Sequence, residues 1–279
     1  MFRKYVLLAF VSLAYIFSDN LYRQVRVRKQ MFELDVIDVG QGDAILITSN
    51  KGRRVLVDGG DGYDLDAYIN KVTPVPFCRI DFIIMTHTHA DHWEGLDRIM
   101  KRCDVRVFTF NDVASDSATY LKFVQNIPEN KKLKLYSDSK IKVDNIIITI
   151  LWPDIAVLKT QELSSDANFL STVALVSYRD FDILLTGDAP AGVLDKIWAE
   201  KESMLQNDKV DVFKVPHHGS ITGLSEKFLT NLSPTYCVIS VGEGNSYGLP
   251  DEDVLSFLAE IKCEVYRTDS DGNIEFKAK

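Results

Sequence analysis

At 279 residues, with 46% hydrophobic and 26% charged side chains, the chain can close one large hydrophobic core or two small ones, and a disordered, collagen-like or miniature disulfide-bound protein is excluded. A net charge of −8 excludes a broad basic face that would grip nucleic acid through its phosphates alone. The local basic clusters, Arg23 to Lys29, Arg98 to Arg102 and Lys131 to Lys134, read as solvated surface charge.

Arg3 and Lys4 precede an apolar run from Tyr5 to Phe17, which Ser18-Asp19-Asn20 closes. A charged start followed by so short an apolar run has the form of a signal peptide and is short for a membrane span. Ser12-Leu13-Ala14 offers small residues for cleavage but would cut into the apolar run. Arg23, Arg26, Arg28 and Lys29 beyond it resist export. Residues 1–30 are therefore assigned as a signal-like or membrane-anchor segment with a basic linker. Export or membrane anchoring, with membrane association through this segment, is the expectation. A plain N-terminal helix on a cytoplasmic protein is the alternative. Residues 31–279 form the functional domain.

From there the pattern is rich in strands. Phe32 to Val39, Ala44 to Thr48 and Arg54 to Val57 read as successive strands, broken by Gly40-Gln41-Gly42-Asp43 and by Ser49-Asn50-Lys51-Gly52. Asp58-Gly59-Gly60-Asp61-Gly62 interrupts the sheet, and a helix is predicted over Asp64 to Lys71. A buried strand, Ile80 to Met85, leads into Thr86-His87-Thr88-His89-Ala90-Asp91-His92, and the stretch after it, Trp93 to Met100, has helical spacing. A strand at Val105 to Phe110, a helix at Ser115 to Gln125 and strands within Ile141 to Ile150 follow. The second half predicts strands at Ser171 to Tyr178 and Asp182 to Leu185, a helix at Ala191 to Lys201, and a strand at Val210 to Val215. Tyr236 to Val241, a helix over Asp251 to Ile261 and Glu264 to Arg267 close the chain. Two similar halves of this kind predict two packed sheets with helices outside.

All five histidines fall in two clusters, residues 87–92 and Pro216-His217-His218-Gly219-Ser220. Residues i and i+2 face nearly opposite sides of a helix but share a side in extended chain. At a strand end, His87 and His89 therefore address one ion, while Asp91 and His92, facing elsewhere, begin a second site. Imidazole nitrogen and carboxylate oxygen suit Zn²⁺, with Mn²⁺ or Fe²⁺ as alternatives. Asp188 follows an apolar strand and either lies between two ions or caps the next helix. The cysteines, Cys78, Cys103, Cys237 and Cys263, lack metal-type spacing. Cys237 and Cys263 lie on two predicted strands that could be neighbours. Disulfides and buried free thiols both fit.

Together these segments resemble the metallo-β-lactamase superfamily and, within it, the hydrolase domain of ComEC-type DNA-uptake competence proteins. The likeness runs through Asp38 to Ile47, Leu56 to Gly60, Thr86 to His92, Leu184 to Asp188, Lys214 to Ser220, Asn245 to Gly248 with Pro250, and Tyr266 to Gly272. The resemblance implies an αββα sandwich with a two-metal site at one edge. It places His87 and His89 on the first metal, Asp91 and His92 on the second, and Asp188 between them. One of the pair His217 and His218, with His218 preferred, completes the second site. Asp58 would order the histidine loop from behind, and Asn245 and Tyr247 would face substrate.

Two departures stand out. Many superfamily members carry a further histidine shortly before the Asp188 position, where this chain reads Ser164-Ser165-Asp166-Ala167-Asn168. Asp166 or Asn168 substitutes there, with Asp166 preferred for its charge. ComEC-like sequences commonly read Tyr-Gly-His-Pro where this chain has Tyr247-Gly248-Leu249-Pro250, so Leu249 replaces a candidate proton donor. The expected activity is phosphodiester hydrolysis of DNA or RNA with two divalent ions, Zn²⁺ first and Mn²⁺ second. Asp91 would orient the attacking water. The alternatives are a hydrolase of a small phosphodiester or ester, and a non-catalytic, metal-stabilised binding domain. No protein partner is expected.

Overall fold

The computed structural model describes residues 31–60, 64–73, 78–111, 115, 117–159, 166–207 and 210–279. The predicted signal or anchor segment lies outside them. Among the described residues no helix is long and apolar enough to cross a membrane.

In chain order the elements are β1 (Phe32–Val36), β2 (Ile45–Thr48), β3 (Arg54–Val57), α1 (Asp64–Val72), β4 (Arg79–Ile84), α2 (Ala90–Arg102), β5 (Asp104–Phe110) and α3 (Ala118–Asn126). Then come β6 (Lys132–Lys134), β7 (Lys140–Val143), β8 (Ile146–Trp152), α4 (Ile155–Lys159), β9 (Val173–Tyr178), β10 (Phe181–Leu185), α5 (Ala191–Asn207) and β11 (Val210–Lys214). The chain closes with α6 (Glu226–Leu232), β12 (Tyr236–Ile239), α7 (Glu252–Glu260), β13 (Glu264–Arg267), α8 (Thr268–Asp271) and β14 (Ile274–Ala278).

These strands make two seven-stranded mixed sheets, ordered β14-β1-β2-β3-β4-β5-β6 and β13-β12-β11-β10-β9-β8-β7. Side chains alternate across each strand. On β2, Ile45 and Ile47 enter the core between the sheets with Phe32, Leu34, Ile148, Val176 and Ile183. Leu46 points the other way, into the layer formed with Leu65, Ile69, Leu96, Ile99 and Phe123 of α1, α2 and α3. The second sheet is covered in the same fashion by Val193, Ile197, Phe228, Leu229, Val254 and Leu258 of α5, α6 and α7. Because both faces of the sheets are buried, β2 and β10 read as near-continuous apolar runs rather than alternating ones. The architecture is the αββα sandwich.

Strands β3 to β6 run parallel, as do β10 to β13, and the loops leaving their C-terminal ends gather at one end of the sandwich. Strand β1 pairs antiparallel with β14, Phe32 opposite Ala278 and Val36 opposite Ile274.

Strands β6 and β14 and helices α4, α6 and α8 were not read from the sequence. Strand β6 was not expected, because Lys-Leu-Lys at a sheet edge carries no apolar run. Strand β14 is half-exposed, and α6 is only seven residues long. The strands predicted within 141–150 form a hairpin, turned at Asp144, whose φ of 54° is left-handed. All four cysteines are joined, Cys78 to Cys103 and Cys237 to Cys263. The first bond closes the unit β4–α2 that carries the first histidine cluster.

Helix α2 is held against the Asp58-Gly59-Gly60 loop by Gly59 N donating to His92 O (2.8 Å) and Gly95 N donating to Gly60 O (3.0 Å). A Cβ on Gly95 would stand 1.9 Å from Gly59 O, whereas one on Gly192 in α5 would meet nothing within 4 Å. Gly95→Ala is therefore expected to cost about 1–3 kcal/mol through backbone overpacking, read as a lower midpoint in thermal unfolding. Gly192→Ala should leave the midpoint unchanged or raise it.

Candidate metal centre

The centre begins where β4 runs out. His87 and His89 continue the extended chain, so their rings share a side, with His87 Nε2 3.1 Å from His89 Nδ1. His89 has β-region φ and ψ immediately before α2. Asp91 and His92 fall in the first turn of that helix, where a carboxylate is favoured by the helix dipole. The change from strand to helix is what turns the second pair away from the first.

Asp58 holds this loop from below. Its carboxylate accepts from Thr86 N (2.7 Å) and Thr86 Oγ1 (2.6 Å) and bonds His92 Nδ1 (2.8 Å). That fixes the His92 ring with Nε2 facing the opposite side. From the neighbouring loop, Gly42 packs so closely that a Cβ there would be 2.0 Å from Asp91 O.

The second sheet supplies Asp188, at the end of β10, and the pair after β11. Ser171 Oγ accepts from Asp188 N (2.9 Å). The Asp188 carboxylate lies 3.7 Å from His87 Nε2, 3.4 Å from His92 Nε2, 3.6 Å from His218 Nε2 and 4.0 Å from His217 Nε2. His217 and His218 both have positive φ, 51° and 55°. Two adjacent non-glycine residues in that region are costly and persist where the surroundings hold them. Here His217 N donates to Gly187 O and Ser220 N to His217 O, while His218 Nδ1 meets Ser240 O at 2.9 Å and His217 Nδ1 meets Thr222 Oγ1 at 2.8 Å. His218 Nε2 is then 3.3 Å from Asp91 Oδ2.

Among the described residues three donor groups emerge, His87 with His92 and Asp188, Asp91 with His92 and His218, and Asp43 with Asp58 and His92. His92 Nε2, His218 Nε2 and Asp188 Oδ1 are buried without a hydrogen-bond partner. Each such atom costs about 1–3 kcal/mol, and their convergence is what bound cations would offset. Imidazoles and carboxylates are the donors Zn²⁺ and Mn²⁺ take, so the residues present fit divalent metal.

The charges agree. Burial works against ionised Asp188, but His92, His218 and His87 outweigh it and hold the carboxyl well below its ordinary range. Burial, assisted by charge on His92, pushes His87 well below the usual histidine value and keeps it neutral. At His92 burial is overcome by Asp188 and Asp58, and at His218 by Asp188 and Asp91, so both are raised. Protons and metal thus compete for the same nitrogens.

Of the other residues singled out from sequence, Asp166 is exposed and its Oδ1 accepts from Asn168 N (2.9 Å). It is a member of none of these donor groups, and the neighbouring Ser164 and Ser165 lie outside the described residues. Asn245 spends its amide inside its own loop, donating to Gly242 O and Leu249 O and accepting from Tyr247 N and Leu249 N. Tyr247 on that loop is 72% exposed, and Leu249 packs against the outer core. Sequence reasoning passed over Ser171, which carries no recognisable signal, and the buried pair Asp43 and Lys214. A lysine ending the apolar run Val-Asp-Val-Phe-Lys-Val could have flagged the latter.

A two-sheet sandwich with histidines and aspartates gathered at the ends of its parallel strands defines a divalent-metal-binding protein of metallo-β-lactamase type. The family model of the metallo-beta-lactamase superfamily matches residues 37–242, and the chain belongs to that superfamily. ComE operon protein 3 of Bacillus subtilis (strain 168) is 28% identical over 271 residues, covering 88% of this chain and 33% of that protein. Recombination protein 2 of Haemophilus influenzae is 27% identical over 263 residues, covering 92% and 30%. The chain spans about a third of the length of these curated relatives. Among solved structures, the metallo-beta-lactamase fold protein YhfI from Bacillus subtilis aligns with a TM-score of 0.58 at 11% identity, over 89% of this chain and 100% of YhfI.

Asp58→Asn keeps the shape but weakens the acceptor behind His92 and Thr86. It is expected to lower metal affinity about 10–100-fold, measured by competition with a chromophoric chelator. In the unaltered protein the affinity should rise with pH through and above the ordinary histidine range, as His92 and His218, both raised, give up their protons.

Proposed function

We propose that the chain is a hydrolase of nucleic-acid phosphodiesters that works with two divalent ions, Zn²⁺ or Mn²⁺, outside the cytoplasm. The observation that carries this reading is the Asp188 carboxylate set among His87, His92, His217 and His218, with unpartnered His92 Nε2 and His218 Nε2 beside it. One ion would be held by His87, His89 and Asp188, with His217 Nε2 4.0 Å from the Asp188 carboxylate. The other would be held by Asp91, His92 and His218, with Asp188 shared. Bound ions supply Lewis acidity and lower the pKa of water.

The protein's own groups do the rest. Asp91 is the most open of the centre's carboxylates, with 29% of its side chain exposed, and its position suits accepting a hydrogen bond from an attacking water. Asp58 and Ser240 O orient His92 and His218 by taking their Nδ1 atoms. Two divalent ions exceed the charge of Asp91 and Asp188, so the loaded centre is cationic and favours an anionic diester. Tyr247, on a loop braced by Asn245, offers an exposed ring on which a base can stack. Leu249 supplies no proton, so the leaving group takes one from water.

The names of the relatives, ComE operon protein 3, Recombination protein 2 and Competence protein ComA of Neisseria gonorrhoeae, support nucleic acid over a small diester. The two disulfides support an oxidising compartment, as does the signal-like N-terminus.

The full chain reconstituted with Mn²⁺ or Zn²⁺ is expected to cleave single-stranded DNA or RNA, with the rate reduced at least about 100-fold in Asp91→Ala. Cleavage of bis-p-nitrophenyl phosphate alone would move the assignment to a small diester. Two bound ions without turnover of either would favour a metal-stabilised binding domain. Thiol counting on the unreduced, denatured protein from its native host should find none of the four cysteines free. A count of four would place the chain in a reducing compartment.

A further inference from the structure

Lys214 Nζ lies 2.7 Å from Asp43 Oδ2, and both side chains are at most 2% exposed. A buried ion pair adds little net stability, because desolvating two charges offsets their attraction, and apolar residues of similar size would serve as well. Its placement is what distinguishes this one. Asp43 sits on the loop after β1, in the first sheet, while Lys214 ends β11, in the second. The pair therefore crosses the sandwich, and each partner is tied to a different set of donors.

On the first-sheet side, Asp43 N donates to Asp91 O (3.2 Å), and Asp43 O accepts from Gly60 N (2.8 Å) next to the Asp58 loop. On the second-sheet side, Lys214 O accepts from Thr186 Oγ1 (2.7 Å), two residues before Asp188. The remaining carboxylate oxygen, Asp43 Oδ1, faces His218 Nδ1 at 3.6 Å. A proton kept on His218 Nδ1 by Ser240 O and Asp43 leaves Nε2 as the bare donor beside Asp91.

We infer that the Asp43–Lys214 pair is a positioning device: it sets the separation between the donors carried by the two sheets and orients His218 toward the ion it shares with Asp91 and His92. The inference rests on the two-ion reading above.

The test is Zn²⁺ titration of the full chain, followed by native mass spectrometry and chelator competition, on three proteins. These are the unaltered chain, Asp43→Asn, and the double variant Asp43→Asn/Lys214→Met. Asp43→Asn strands a buried ammonium and should lower the melting temperature, whereas the double variant removes both charges and should recover much of it. Although refolded, the double variant is expected to bind the first ion normally and the second at least about 10-fold more weakly. Two ions bound at unaltered affinity in the double variant would overturn the positioning role and leave a purely structural pair. Fewer than two ions on the unaltered chain would overturn the two-ion reading, and the inference with it. Should the double variant not fold, Asp43→Asn titrated below its melting temperature separates the same two outcomes.

Discussion

Asp58 is a fully buried carboxylate, and the geometry of the centre depends on where its two oxygens go. One takes Thr86 N; the other is shared by the Thr86 hydroxyl and His92 Nδ1. Burying a carboxylate is expensive unless its lone pairs are filled, and here they are filled by the two ends of the histidine loop. Asp58 itself sits at a φ of 56°, which lets Gly59 N reach the carbonyl of His92. Side chain and backbone of one short turn thus fix the start of α2. With that start fixed, Asp91 and His92 must face Asp188 and His218 across the gap between the sheets.

That gap concentrates buried charge. The chain carries a net charge of −8, and Asp188, buried at the centre of the site, is an anion surrounded by imidazoles. Without metal the balance is kept by protons on His92 and His218. On the two-ion reading proposed above, the same carboxylate would become the smaller partner of two dications, and the local field would turn positive. On the nucleic-acid reading proposed above, recognition of a polyanion by an acidic protein would rest on a small cationic focus instead of a basic surface. Binding of such a kind is short-ranged and less salt-sensitive than a phosphate-tracking groove.

Much of this was legible in the sequence because histidine is scarce. Clustering of every histidine beside aspartate left little room for a surface role, and the i, i+2 spacing of His87 and His89 required extended chain. The strand periods were readable for a related reason, since both sheet faces are buried and apolar runs mark the core. Short edge elements escaped. Lys132-Leu133-Lys134 and Ile274 to Ala278 owe their conformation to hydrogen bonds with β5 and β1, a tertiary cause that local composition does not carry. The partnership of Asp43 with Lys214 was hidden likewise: 171 positions separate them, and neither residue type announces which opposite charge it will meet. Cysteine pairing was open until the β4–α2 and β12–β13 connections were seen to bring the sulfurs together.

The pairing of β1 with β14 has a consequence for how the molecule can be held. Phe32 and Ala278 stand opposite each other, at the far end of strands whose other ends lead toward the Asp43 loop. Both chain directions therefore leave the sandwich side by side, on the pole away from the histidines. A tether attached beside Phe32 or Ala278 would start on the pole away from the metal centre.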